Sequence, residues 1–174
     1  MRTVHWMADH RGFTLVELLI VIAVLIIAAV IVIPSIGSAA DMQAVSAARV
    51  VGSDLEVVRS LALTTQRLHS LVFSPDLQSY KVVADYGGEA YATAAAVPHP
   101  VTAGKQFDVT LARQNGMSAV RMTGVAFGGN TYVTFDSQGE PSSAGTVTVE
   151  SGRVQMQVSV AALTGAVTIT RTSG

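Results

Sequence analysis

The chain has 174 residues, 49% of them hydrophobic and 13% charged, with eleven basic side chains, twelve acidic ones and no cysteine. That length holds one ordinary domain plus a membrane segment and excludes a second large domain. Lack of cysteine excludes disulfides, zinc–thiolate sites and thiol chemistry. A formal charge of -1 excludes a basic footprint for gripping nucleic acid, the more so because the chain from Phe13 onward carries nine basic against eleven acidic side chains.

In chain order, the first segment is polar and holds Arg2, Arg11 and one acid, Asp9. A greasy run follows, in which every residue from Leu18 to Ile33 is Leu, Ile, Val or Ala. As a helix rising about 1.5 Å per residue, Phe13 to Ile33 would extend roughly 30 Å, the thickness of a hydrocarbon core. Many of these residues are β-branched, but a single span must satisfy its backbone internally, so the run predicts a transmembrane helix over 13–34. The arginines before the run place the N-terminus in the cytoplasm and the bulk of the chain outside. Glu17 lies inside this segment, and a carboxylate there needs either a solvated position at headgroup depth or a partner. Position alone leaves both open. A secretory signal cut after Ala40, at Ser38-Ala39-Ala40, is the competing reading of the run and would release a soluble exported binding domain. Its length, its acid and the proline that follows all argue against that.

Pro34 predicts a kink in a helix that continues, with Gly37 softening the same region. Val45, Ala48, Val51, Leu55, Val58, Ala62 and Thr65 recur at three- and four-residue steps, a stripe that docks one face of the helix onto a core. Helix signals fade near His69. Strands are then expected at Ser70–Phe73, Gln78–Ala84, Gln106–Leu111, Ala119–Phe127, Thr131–Phe135, Thr146–Glu150, Val154–Val160 and Val167–Arg171. Ser74-Pro75-Asp76 marks a turn, residues 85–104 a long surface loop, and Ala161–Gly165 a hairpin between the last two strands. One helix followed by many strands makes an α+β domain with the helix packed on an antiparallel sheet.

Gly12-Phe13-Thr14-Leu15-Val16-Glu17, followed by the apolar run and Pro34, resembles the class III leader of type IV prepilins and type II secretion pseudopilins. Phe135-Asp136-Ser137-Gln138-Gly139 resembles the Phe-x-x-x-Gly turn of the pseudopilin H and FimT group, and the closing Leu163-Thr164-Gly165 strand resembles that group's last strand. The resemblance implies a pilin-like fold with a leader at 1–12, a transmembrane helix at 13–34, a periplasmic helical half at 35–69 and a β-rich part at 70–174. It implies cleavage by the prepilin peptidase between Gly12 and Phe13, methylation of the new Phe13 amine, and pairing of Glu17 with the amine of a neighbouring subunit. The implied protein is a minor pseudopilin anchored in the inner membrane, working in protein secretion with other pseudopilins and with secreted cargo. A minor type IV pilin is the alternative, since pili use nearly the same subunits.

No residue pattern points to an enzyme, a cofactor or a metal. His69 and His99 read as surface or loop residues, and Asp136–Glu140 lacks the alternating acids of a calcium loop. Some FimT-like pilins take up DNA through a Gly-Arg-x-Arg patch; the corresponding Gly165-Ala166-Val167-Thr168 lacks both arginines, and Gly152-Arg153 keeps one.

Overall fold

The structure is a computed structural model that describes residues 13–173, without the side chains of residues 29–38. The leader, Gly12 and the side chain of Pro34 therefore lie outside the described residues. The chain divides into two compact units, one ending at Ile36 and one beginning at Gly37. A single helix, α1 (Leu15–Thr65), runs through both. Among the described residues no helix is long and apolar enough to cross a membrane, and the described side chains cover only 13–28 of the expected 13–34 span.

The unit from Gly37 onward packs the second part of α1 against strands. Ala44, Ala47, Ala48, Val51, Leu55, Val58 and Ala62 are fully buried, the stripe that three- and four-residue spacing predicts. The helix stops at Thr65, four residues before His69. The hydroxyls of Thr64 and Thr65 donate back to the carbonyls of Ser60 and Leu61 (2.8 and 2.7 Å), and Gln66 turns into the left-handed region at φ 54°. Hydroxyls that compete for the last carbonyls and a left-handed residue together end a helix.

Eight strands follow: β1 (His69–Phe73), β2 (Ser79–Ala84), β3 (Asp108–Thr110), β4 (Arg121–Phe127), β5 (Tyr132–Phe135), β6 (Gly145–Ser151), β7 (Val154–Val160) and β8 (Val167–Ser173). They form two antiparallel four-stranded sheets, ordered β3-β2-β1-β5 and β4-β6-β7-β8. The expected sheet is thus two, because β5 pairs back with β1 while β4 pairs forward with β6. Inward residues of both sheets, among them Phe73, Tyr80, Val82, Phe127, Val133, Phe135, Val147, Val149 and Val158, share one core with the helix stripe.

Two other expectations change. The strand expected over Gln106–Leu111 shortens to Asp108–Thr110, with Gln106 in an isolated bridge to Pro98 and Leu111–Arg113 forming a 3₁₀ turn. His69 is buried at 5% exposure because it opens β1, which runs between β2 and β5. The segment over 85–104 is strand-free but attached. Val97 donates to Val82 O (2.8 Å), and the buried Lys81 ammonium donates to the carbonyls of Tyr91 and Ala94 (2.7 and 3.0 Å) while lying over the Tyr91 ring.

Candidate assembly site

The N-terminal turn of α1 is built by Thr14 and Glu17. Thr14 Oγ1 accepts the Glu17 amide hydrogen (3.2 Å) and Thr14 O accepts that of Leu18 (3.2 Å), so Thr14 caps the helix and Glu17 is its third residue. Thr-x-x-Glu is the capping-box pattern, and an acid in the first turn also suits the positive end of the helix dipole. That local signal ahead of an apolar run was available in the sequence and was missed, because attention fell on the carboxylate's depth instead. Phe13, 83% exposed, sits one residue before the cap.

Past this turn the helix surface is apolar and uncovered. Leu15, Val16, Leu18, Leu19, Ile20, Val21, Ile22, Val24, Leu25, Ile26 and Ile27 are all exposed, from 48% to 80%. Water would not leave that much contiguous aliphatic surface bare, so the segment demands lipid, other helices or both as its surroundings. Phe13 and Glu17 thus lie together at the head of an adhesive helix. Whether Gly12 joins them falls outside the described residues.

Farther along α1, polar side chains fasten the helix to particular turns. Asp41 Oδ1 accepts from the amide of Arg153 (2.9 Å) in the β6–β7 turn, and Gln43 Oε1 accepts from Ala119 (3.1 Å). Tyr80 donates its hydroxyl to Asp54 Oδ2 at 2.6 Å. Burial pushes the Asp54 carboxyl above its usual range, with the Tyr80 hydroxyl and the charge of His99 pulling the other way. Burial and the facing carboxylate push the Tyr80 hydroxyl well up. Arg59 Nε donates to Gly139 O (3.2 Å).

Gly139 and Gly165 are the glycines of the two C-terminal motifs, and the fold brings them to the same arginine. Both are left-handed, at φ 78° and 64°. A Cβ on Gly165 would stand 2.7 Å from Gly139 O and 3.2 Å from Arg59 Nε, and one on Gly139 would stand 3.1 Å from Arg59 Nε. The motifs therefore serve one junction between the helix, the 136–140 turn and the 161–165 hairpin. Asp136 Oδ1 accepts the amides of Gln138 and Glu140 (2.8 and 2.9 Å), so this acid shapes its own turn. Among the described residues no cluster of three or more histidines and acids is placed to hold a metal ion. His99 Nδ1 accepts from the amides of Val101 and Thr102, closing its loop (3.1 and 3.2 Å).

With this geometry in hand, comparison with known proteins is specific. Residues 7–33 match the family described as prokaryotic N-terminal methylation motif, and residues 47–165 match the family described as type II transport protein GspH. Among solved structures, the chain is similar to the minor pseudopilin EpsH from the type 2 secretion system of Vibrio cholerae, with a TM-score of 0.52 at 10% identity over 74% of this chain and 97% of that one. It is also similar to the type IV minor pilin FimU of Pseudomonas aeruginosa, with a TM-score of 0.54 at 13% identity over 75% of this chain and 92% of that one. At such identities the likeness is one of fold, and the fold is pilin-like. No curated protein sequence matches.

Proposed function

The chain belongs to the family of type II transport protein GspH, and from that premise we propose that it is a minor pseudopilin of a type II secretion system. The observation that carries this reading is one chain that joins a methylation motif over 7–33 to a GspH domain over 47–165, with an uncovered aliphatic helix beginning at Phe13. In this reading the prepilin peptidase cuts between Gly12 and Phe13 and methylates the Phe13 amine. The 13–34 helix holds the subunit in the inner membrane, N-terminus cytoplasmic and globular domain periplasmic, until it enters a short pseudopilus. Pro34 bends that helix.

The chemistry of entry rests on Glu17. A carboxylate and an ammonium are each costly in hydrocarbon and tolerable as a pair, so Glu17 of one subunit and the Phe13 amine of another fix the axial register of neighbouring helices. The subunit acts by packing and by presenting its β-rich surface to other pseudopilins and to secreted cargo, with no turnover of its own.

Intact mass of the chain isolated from its native membranes tests the processing step. A mature protein starting at methylated Phe13 is expected; a start at Asp41 would mean a secretory signal and end the proposal. A minor type IV pilin is the second reading, favoured by the likeness in fold to FimU. Deleting the gene separates the two, since a pseudopilin's loss stops secretion and leaves pili intact, whereas a minor pilin's loss does the reverse.

A further inference from the structure

Three arginines stand at one end of the second sheet. Arg121 opens β4 opposite Glu150, Arg153 lies in the β6–β7 turn, and Arg171 lies near the end of β8 opposite Met156. All three are exposed, and among the described residues none forms a salt bridge. Arg121 and Gly152 line one shallow cleft together with Glu150. Arg171 lines the next with Asp41, Met42 and Val154, and Asp41 is the residue that accepts the Arg153 amide. The rim is thus continuous, three arginines against the two acids Asp41 and Glu150, on a chain whose overall charge is -1. At its centre Met42 is 71% exposed, an apolar tip among guanidinium groups.

The rim is also the part of the globular unit nearest in sequence to the apolar run. Asp41 follows Ile33 by eight residues, a reach of at most about 29 Å even when fully extended. A surface tethered that closely meets a bilayer at high effective concentration, so a modest attraction suffices. Arginines that keep their charge at headgroup level while an apolar tip dips beneath are suited to an anionic interface.

We propose that the Arg121–Arg153–Arg171 rim is a membrane-facing surface that contacts the anionic phospholipid headgroups of the bilayer holding the chain's own N-terminal helix. It rests on the membrane-anchored reading above. Contact with lipid orients the domain before assembly and is surrendered when the subunit leaves the bilayer for the filament.

The chain lacks cysteine, so a single fluorophore can be placed at Ser118→Cys, in the cleft beside Arg121, and at Gln138→Cys, in the turn beside Arg59, in separate full-length samples. Each is reconstituted into phosphatidylcholine vesicles and into vesicles that also contain phosphatidylglycerol, both carrying a headgroup quencher. A single basic side chain near an anionic leaflet is worth about a fivefold change in the contacting population, screened by salt. Quenching at Ser118→Cys should rise severalfold in the anionic vesicles. It should fall to the neutral level in Arg121→Gln/Arg153→Gln/Arg171→Gln and, without any mutation, at raised salt. Gln138→Cys should not respond. Equal quenching in both vesicle types, in protein that resists alkaline extraction, overturns the lipid surface alone and points to a protein partner for the rim. Failure to resist extraction from either vesicle overturns the membrane anchor and this proposal with it.

Discussion

One helix lives in two solvents. In the same α1, the aliphatic side chains of Leu15 to Ile27 are about half exposed or more, while Val51, Leu55 and Val58 are completely buried. Residue type does not distinguish the two segments, since both are rich in Leu, Ile, Val and Ala. What differs is spacing. Around 45–62 the apolar residues keep to one stripe, with Arg49, Glu56 and Arg59 on other faces, so one side suffices to bury them. In 18–33 they occupy every face, and no single neighbouring sheet can cover a helix that is hydrophobic all round. The first segment therefore needs an external environment, and the second carries its own.

That contrast is breakable by mutation. Leu55→Ala should destabilise the domain by about 2–5 kcal/mol, since it opens a cavity in a fully packed core, whereas Leu25→Ala should stay within about 0.5 kcal/mol; denaturant unfolding of the full chain in detergent measures both. An equal loss in the two would show that the N-terminal segment is part of the same core. A smaller effect is expected at the Arg59 junction. Gly165→Ala forces a side chain into the left-handed region and against Gly139 O, at about 1–3 kcal/mol, while Gly88→Ala, equally left-handed at φ 90° with open space around it, should cost only about 1 kcal/mol.

The smallest effect is one of pH. Asp54 titrates above its usual range in the folded state, so the folded protein binds its proton more tightly than the unfolded chain. Its contribution to stability is complete below the unfolded value of 3.8 and is lost as pH rises through the raised folded value. At neutral pH, Asp54 is thus a charged group held in a half-buried site. Asp54→Asn keeps an oxygen for the Tyr80 hydroxyl and removes that cost. The melting temperature of the variant relative to wild type should be highest near neutral pH and should fall toward pH 3.8. A flat difference would mean that the desolvation of Asp54 is unimportant.

Local and periodic features were legible in the sequence: the helix stripe, the Ser74-Pro75-Asp76 turn, the hairpin at Ala161–Gly165, and the strand Val154–Val160. The division into two sheets was not. It depends on which strands pair across long separations, such as Ser70 with Thr134, and alternation says which face of a strand is apolar without naming its partner. The burial of His69 follows from the same pairing and was hidden for the same reason. The two C-terminal motifs were visible as words but not as a junction, because Arg59, which joins them, lies some eighty residues before Gly139. Glu17 is the instructive case: its depth in the helix was read and its capping geometry was overlooked, although Thr14 and Glu17 stand three residues apart.

Those two roles of Glu17 are separable, and separating them tests the central claim most directly. Glutamine preserves a capping box and abolishes the charge, so Glu17→Gln leaves the helix start intact while removing the partner of the neighbouring amine. Capture of tagged neighbouring subunits from membranes, with intact mass to monitor processing, gives the readout. The account predicts that Glu17→Gln is cleaved and methylated at Phe13 like wild type yet fails to co-assemble. Co-assembly at the wild-type level would contradict it, leaving Glu17 as a helix cap and nothing more.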